Sequence, residues 1–207
     1  MEGGLLSSIT AYLDAAMNAT LHTRGVYPAE VFETRKFLNL PIRVSRHPEL
    51  TAYLRKAVAS VGEAMKTGTV DSVILELLAP NDDYPAAGPQ AFEQHVFEVR
   101  RLAASLSAAA SDDELDELER GLRASLAQIN QLDQRLEPVP HDTTFAILIN
   151  CSDAAALTEH NDLEISANWV HDQSNAATAR HRAEIHAVKR VEVPQCIQLS
   201  HYVRVLL

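Results

Sequence analysis

Arg24-Gly-Val-Tyr-Pro-Ala-Glu-Val-Phe32, followed by Arg35-Lys36 and then by Asn39-Leu-Pro-Ile-Arg-Val-Ser-Arg-His-Pro-Glu-Leu50, is the stretch whose reading decides the fold. It joins a helix end, an aromatic turn, a ribbon of two short extended segments and a second helix start. Gly25 supplies the helix stop, because a residue without a β-carbon readily takes the left-handed conformation that closes a helix. Tyr27-Pro28 fixes an extended turn, and Val31 to Val44 reads as two extended pieces interrupted by Asn39 and Pro41. Pro48 suits the first turn of a helix, where its missing N–H has no intrahelical partner to lose. Upstream, Leu5, Ile9, Tyr12, Leu13, Ala16, Met17 and Leu21 recur at threes and fours along one helical face. Downstream, Leu50, Tyr53, Leu54, Ala57, Val58, Val61, Ala64 and Met65 form a second stripe that ends at Gly68.

Beyond Gly68 the period changes. Val73 to Leu78 is short, apolar and bounded by turn residues, as expected of a central strand buried on both faces. The segment Pro80 to Glu93, with Pro85, Gly88 and Pro89, reads as a long exposed loop before His95 to Arg100, which alternates like a strand. Ala103 to Ala110 is alanine and serine and assigns no element. Ser111 with Glu114 forms a capping box, and the acids from Asp112 to Glu119 sit where a helix N-terminus favours negative charge. The leucine and isoleucine stripe from Leu115 to Leu136 predicts a helix of about 25 residues, roughly 37 Å long, ending at Pro138. Thr143 to Cys151 reads as another central strand. Ser152 to Ala183 is polar and small, with Leu163, Ile165 and Trp169 as isolated anchors. Ile185 to Val193 and Ile197 to Val205 then alternate as two strands split by Pro194. The default expectation from length and pattern is one domain, with a long C-terminal arm as an option.

Composition narrows the chemistry. The chain has 207 residues, 46% hydrophobic and 22% charged, enough to bury a sizeable core. A formal charge of −10 argues against direct nucleic-acid binding, which needs a basic surface to displace condensed counterions. Cys151 and Cys196 lack CxxC spacing, no secretory pattern opens the chain, and no apolar run approaches the ~20 residues that cross a bilayer. Reduced thiols in a nuclear or cytoplasmic protein, away from membranes, are the simple expectation. Among the histidines the nearest pairs are His181 with His186 and His160 with His171, which lack the tight local spacing of a zinc site. There is no G-x-S-x-G elbow, no G-x-G-x-x-G and no Walker loop. These observations point to a protein that holds a partner, without metal, cofactor or catalytic machinery.

The opening stretch, with Val96-Phe-Glu98, Leu122-Arg-Ala124, Thr144-Phe-Ala-Ile-Leu-Ile149, Trp169 and Tyr202-Val203, resembles the HORMA-domain family over about Leu13 to Val203. Within that family it is most similar to the mitotic-arrest-deficient-like accessory subunits of DNA polymerase zeta. The resemblance implies one α+β domain over 1–207, an antiparallel sheet packed on three helices with its core at about 5–151 and a C-terminal "safety belt" at about 152–207 that wraps an extended partner peptide. It implies a non-catalytic adaptor of translesion DNA synthesis that captures a segment of the polymerase zeta catalytic subunit and bridges it to the deoxycytidyl transferase scaffold. Nuclear location, with the cytoplasm second, goes with that role. By matched position, Tyr53 and Trp169 are peptide-gripping aromatics, and His171 replaces an aliphatic beside the tryptophan. Ile185, Ser200 and Tyr202 match the scaffold-binding surface, with Ser200 in place of a glutamine. Arg123 matches a self-association arginine, but Thr34 replaces its companion lysine, which counts against a homodimer. A spindle-checkpoint regulator that binds mitotic activators or other HORMA-binding peptides is the alternative within the family.

Overall fold

The computed structural model describes residues 4–82, 84–101, 111–152, 182–193 and 197–207. Helix α1 (Gly4–Thr23) carries the first apolar stripe into the centre of the molecule, where Ile9, Tyr12, Leu13, Met17 and Leu21 are fully buried. Gly25 follows at φ 66°, the left-handed geometry expected of the stop. Strands β1 (Phe32–Phe37) and β2 (Leu40–Ser45) pair as an antiparallel hairpin. Its tip residues Leu38 and Asn39 both have positive φ, as a tight two-residue connection requires. Helix α2 (Pro48–Thr67) starts at Pro48 and closes on Gly68 at φ 78°.

The main sheet has five antiparallel strands in the order β5-β3-β4-β7-β6. They are β3 (Val70–Ala79), β4 (Gln90–Arg101), β5 (Thr144–Cys151), β6 (Ala183–Val193) and β7 (Ile197–Leu206). Strand β3 is buried without interruption from Ser72 to Leu77, which matches its central position. Helix α3 (Asp112–Ile129) begins at the Ser111–Glu114 capping box, with both reciprocal hydrogen bonds formed. The three helices cover one face of the sheet, with Val73, Leu75, Leu77, Phe97, Leu199 and Val203 pointing into their common core. This agrees with the α+β expectation.

Three sequence expectations change. The third helix is shorter than its stripe suggested: the α-helical path ends at Asn130, and a 3-10 turn (Leu132–Gln134) carries Leu132 and Leu136 into the same core. The apolar spacing persists across the break, so periodicity alone could not locate it. Strand β4 begins at Gln90, which places Glu93 inside a strand and not in the loop. Third, and of most consequence, Thr144–Cys151 is not central. Among the described residues β5 pairs only with β3 and forms an edge of the sheet.

A buried ion pair ties the layers together. Arg24, just past α1, gives Glu93 of β4 two parallel hydrogen bonds of 2.8 Å, with both side chains 3% exposed or less. Its Nη2 also donates to the Glu137 carbonyl at 2.6 Å, and His95 Nε2 lies 2.7 Å from Glu93 Oε1. Burial works to raise the Glu93 pKa, but the bonds and charges of His95 and Arg24 outweigh it and hold the carboxyl below its usual range. Removing one partner would strand a buried charge, which makes this network a fixed joint between helix, sheet and the segment after α3.

The C-terminal hairpin reaches the core through a specific fit. A β-carbon on Gly121 of α3 would overlap Val191 Cγ1 of β6 and lie 2.9 Å from its Cγ2. Gly121 therefore lets the arm strand settle onto the helix. Gly121→Ala should destabilise that docking by about 1–3 kcal/mol through overpacking. Val191→Ala in the same chain should recover part of the loss. Hydrogen exchange of the β6 amides, compared across the single and double variants, checks both outcomes.

Candidate functional site

The edge of β5, unpaired among the described residues, is the feature that asks for a partner. Its eight residues, Thr-Phe-Ala-Ile-Leu-Ile-Asn-Cys, include no charge, and a row of backbone N–H and C=O groups faces away from β3. The opposite edge of the sheet, β6, carries Glu184, Lys189, Arg190 and Glu192 and a bulge at Ala187/Lys189. Charges and bulges are the usual means of blunting an edge against pairing. β5 carries no charge, and the one register shift in its pairing, at Val70/Ser72, lies on β3, so the two edges are built for different ends.

Phe145, Ile147 and Ile149 point from β5 to the helices, and they shape what a chain laid along that edge would meet. Tyr53 of α2 and Tyr27 of the turn after α1 both set their rings edge-on to Phe145, at 5.7 Å and 6.2 Å between centroids. Tyr53 is 49% exposed, which departs from its reading as part of the buried stripe: Leu50, Leu54 and Val58 line the core while Tyr53 stands at its rim. Partial burial pushes the Tyr53 phenol pKa up, so it stays a neutral hydroxyl at ordinary pH. The result is an aromatic corner beside the N-terminal end of the free edge. At the other end, Asn150 Nδ2 donates to Ser72 Oγ at 3.1 Å and Ser152 N–H donates to the Thr69 carbonyl at 3.0 Å.

Ile185, Ser200 and Tyr202 fall together on the helix-free face of β6 and β7, since Ile185 pairs with Arg204, Ala187 with Tyr202 and Arg190 with Ser200. Ile185 is 64% exposed. Tyr202 is held: its hydroxyl donates to Glu98 Oε1 at 2.7 Å, accepts from Arg204 Nη2 at 2.8 Å, and the Arg204 guanidinium lies 5.3 Å over its ring centroid. Burial and the bond to Glu98 push this phenol's pKa up, so it keeps its proton. An open depression of about 680 Å³ adjoins it, lined by Ser72, Glu98, Arg100, Asn150, Tyr202 and Arg204. Gln198, which the sequence reading did not single out, projects on the same face and donates to Ser200 Oγ at 3.3 Å. Gln198 lies one alternation from Ser200 but is buried, and its Oε1 accepts from Arg190 Nη2 at 2.9 Å. Strand period two was the signal that could have found it.

Arg123 is half-buried, and its Nε donates to the Leu38 carbonyl at the tip of the β1–β2 hairpin, 2.8 Å away. Thr34 is exposed on β1 opposite Arg43. Trp169, His171, His160 and His181 lie outside the described residues. The structure therefore brings Tyr53 to the β5 edge and gathers Ile185, Ser200 and Tyr202 at the far side of the sheet. The two groups are separate surfaces: β7 and β6 lie three and four strand spacings from β5, about 14 and 19 Å across the sheet.

If Tyr53 is a rim residue and not a core aromatic, its truncation should cost little. Tyr53→Ala should lower unfolding free energy by less than about 1 kcal/mol, whereas Tyr12→Ala, at a fully buried site bonded to Ser125, should cost about 3–5 kcal/mol. Urea denaturation of the two variants makes the comparison.

A model of the family described as "HORMA domain" matches residues 6–158. The chain is 31% identical over 144 residues to the Homo sapiens "Mitotic spindle assembly checkpoint protein MAD2B", covering 70% of this chain and 64% of that protein. It is 25% identical over 139 residues to the Arabidopsis thaliana "DNA polymerase zeta processivity subunit", covering 67% and 60%. The match thus spans less than two thirds of either relative. In three dimensions the chain superposes on a component of a mitotic checkpoint complex with a TM-score of 0.75 at 21% identity, covering 97% of this chain and 99% of that one. It also superposes on Caenorhabditis elegans HTP-2 bound to the HIM-3 closure motif, with a TM-score of 0.67 at 15% identity, covering 96% and 89%.

Proposed function

The chain belongs to the HORMA domain family, whose members are non-catalytic adaptors that bind peptides, and within it we propose an adaptor that captures a short segment of the DNA polymerase zeta catalytic subunit along β5. The observation that carries this reading is the uncharged edge of β5, unpaired among the described residues, beside the Tyr53, Tyr27 and Phe145 corner. An extended peptide added there satisfies the free backbone groups, and the aromatic corner selects its side chains. Residues 153–181 leave from the C-terminal end of β5 and return at β6 on the other side of the sheet. At full extension they reach roughly 100 Å, ample to pass over a bound strand as a belt. A belt closed in that way makes release depend on reopening, so dissociation is slow. Trp169 and His171 fall in this segment, and their part in gripping the peptide rests on the family resemblance.

The second surface, Ile185 with Ser200, Gln198 and Tyr202, is the proposed seat of the deoxycytidyl transferase scaffold. It combines an exposed aliphatic with a tyrosine locked by Glu98 and Arg204, which suits an anchor residue rimmed by polar groups. Two partners on opposite parts of one sheet would be bridged without touching each other, and the role places the protein in the nucleus in DNA damage tolerance. The name of the Arabidopsis relative supports polymerase zeta. The name of the human relative supports a second reading, a checkpoint-type regulator that uses the same β5 edge for mitotic activators.

Affinity purification of the tagged chain from dividing cells, read by mass spectrometry, tests both readings. Recovery of polymerase zeta subunits is the expected result, and recovery of checkpoint proteins alone would favour the second. Tyr53→Ala with Trp169→Ala should weaken capture of the catalytic-subunit segment at least about 30-fold. Ile185→Ala with Tyr202→Ala should lose the scaffold while keeping that segment. Full retention by the first double variant would remove the peptide site assigned here.

A further inference from the structure

Strand β7 carries an imidazole into the core. His201 is 2% exposed, and among the described residues neither ring nitrogen has a hydrogen-bond partner. Its ring stacks on Phe97 of β4 at 4.3 Å between centroids, on the same inward face as Leu199 and Val203. The described charged and titratable groups around it are committed elsewhere or out of reach. On β4, His95 is 6.0 Å away between centroids and bonded through Nε2 to Glu93. Both Glu93 oxygens are taken by Arg24, from the end of α1. Tyr12 of α1 packs against Phe97 and shares its hydroxyl with Ser125 of α3. On β6, Lys189 is the half-exposed cross-strand partner of His201, and His186 sits one inward position further on, 3.4 Å from Glu184.

Such a site accepts only the neutral ring. Burial, and then the neighbouring His95, push the His201 pKa well below the ordinary imidazole range. When β7 leaves β4 the ring returns to water, where its pKa is about 6.5. The released arm then binds the additional proton, so linkage favours release as pH falls. Docking is at full strength above about pH 6.5 and weakens below it, by at most about tenfold per pH unit for a single proton.

We propose that His201 is a release element: an unsatisfied imidazole on β7 keeps the docking of the C-terminal hairpin short of full strength, so that the hairpin can reopen, and reopens more readily in acid. This deepens the adaptor reading, in which the same hairpin anchors the far end of the belt, but it concerns the free chain and is read there. Leucine or phenylalanine at this position fills the space with no polar atom to desolvate.

The test is amide hydrogen exchange on the full chain without any peptide, corrected for intrinsic rates, from pH 7.5 to pH 5.5. At pH 7.5, His201→Phe and His201→Leu should slow opening of β6 and β7 by about 5- to 100-fold relative to wild type, with α1 and β3 unchanged. Between pH 6.5 and 5.5 wild-type opening should rise several-fold, and the two variants should stay flat. Variants that open as fast as wild type while α1 and β3 stay protected, or that keep the wild-type pH slope, overturn the proposal. If both variants lose protection in α1 and β3 through misfolding, the wild-type profile decides: acid acceleration confined to β6 and β7 supports the element, and its absence or a uniform rise overturns it. Because no peptide is present, failure of peptide capture elsewhere leaves this result unaffected.

Discussion

Antiparallel pairing of β7 with β4 is the constraint from which the rest follows. The core strands β5, β3 and β4 make a three-stranded sheet with two edges, and the C-terminal hairpin covers only one of them. Docked on β4, with Val191 seated against Gly121 and the inward residues of β7 closing the core under α1 and α3, it leaves β5 unpaired among the described residues. An uncharged strand of eight residues in that position is an unfinished sheet. Another segment that supplies backbone groups completes it, and this is the physical content of a peptide-capturing adaptor.

Much of this was legible in the sequence, and the misreadings are informative. The stops at Gly25 and Gly68, the proline start at Pro48 and the capping box at Ser111 were readable because each is a local backbone requirement met by one residue type. Reading Thr143 to Cys151 as central failed for a physical reason: an apolar, uncharged strand is normally one with neighbours on both sides. Its edge position resolves the conflict if the missing neighbour is another chain. The Arg24–Glu93 joint was invisible because its two residues are far apart in sequence, and the loop assigned up to Glu93 hid the start of β4. His201 looked like one more histidine in an alternating strand. Only the register with Phe97 shows that it points inward.

The layout also gives the proposed two-partner role a geometry. Tyr53 and the β5 edge lie at one side of the sheet, and Ile185, Gln198, Ser200 and Tyr202 at the other, on the face that the helices leave uncovered. Between them runs a rigid pair of central strands, β3 and β4, clamped to α1 by the buried ion pair. The hairpin that carries the second surface is the same element whose docking leaves the first edge free. Both surfaces therefore depend on one docking event, which gives a route for occupancy at one side to influence the other.

Residue-resolved hydrogen exchange along Thr144–Cys151, measured with and without a synthetic segment of the polymerase zeta catalytic subunit, tests the central claim most directly. Added protection at alternate β5 amides, those pointing away from β3, with β1 and the outer edge of β6 unchanged, is the predicted result. A segment that binds while the β5 amides exchange as before, or that protects the edge of β6 instead, would contradict it.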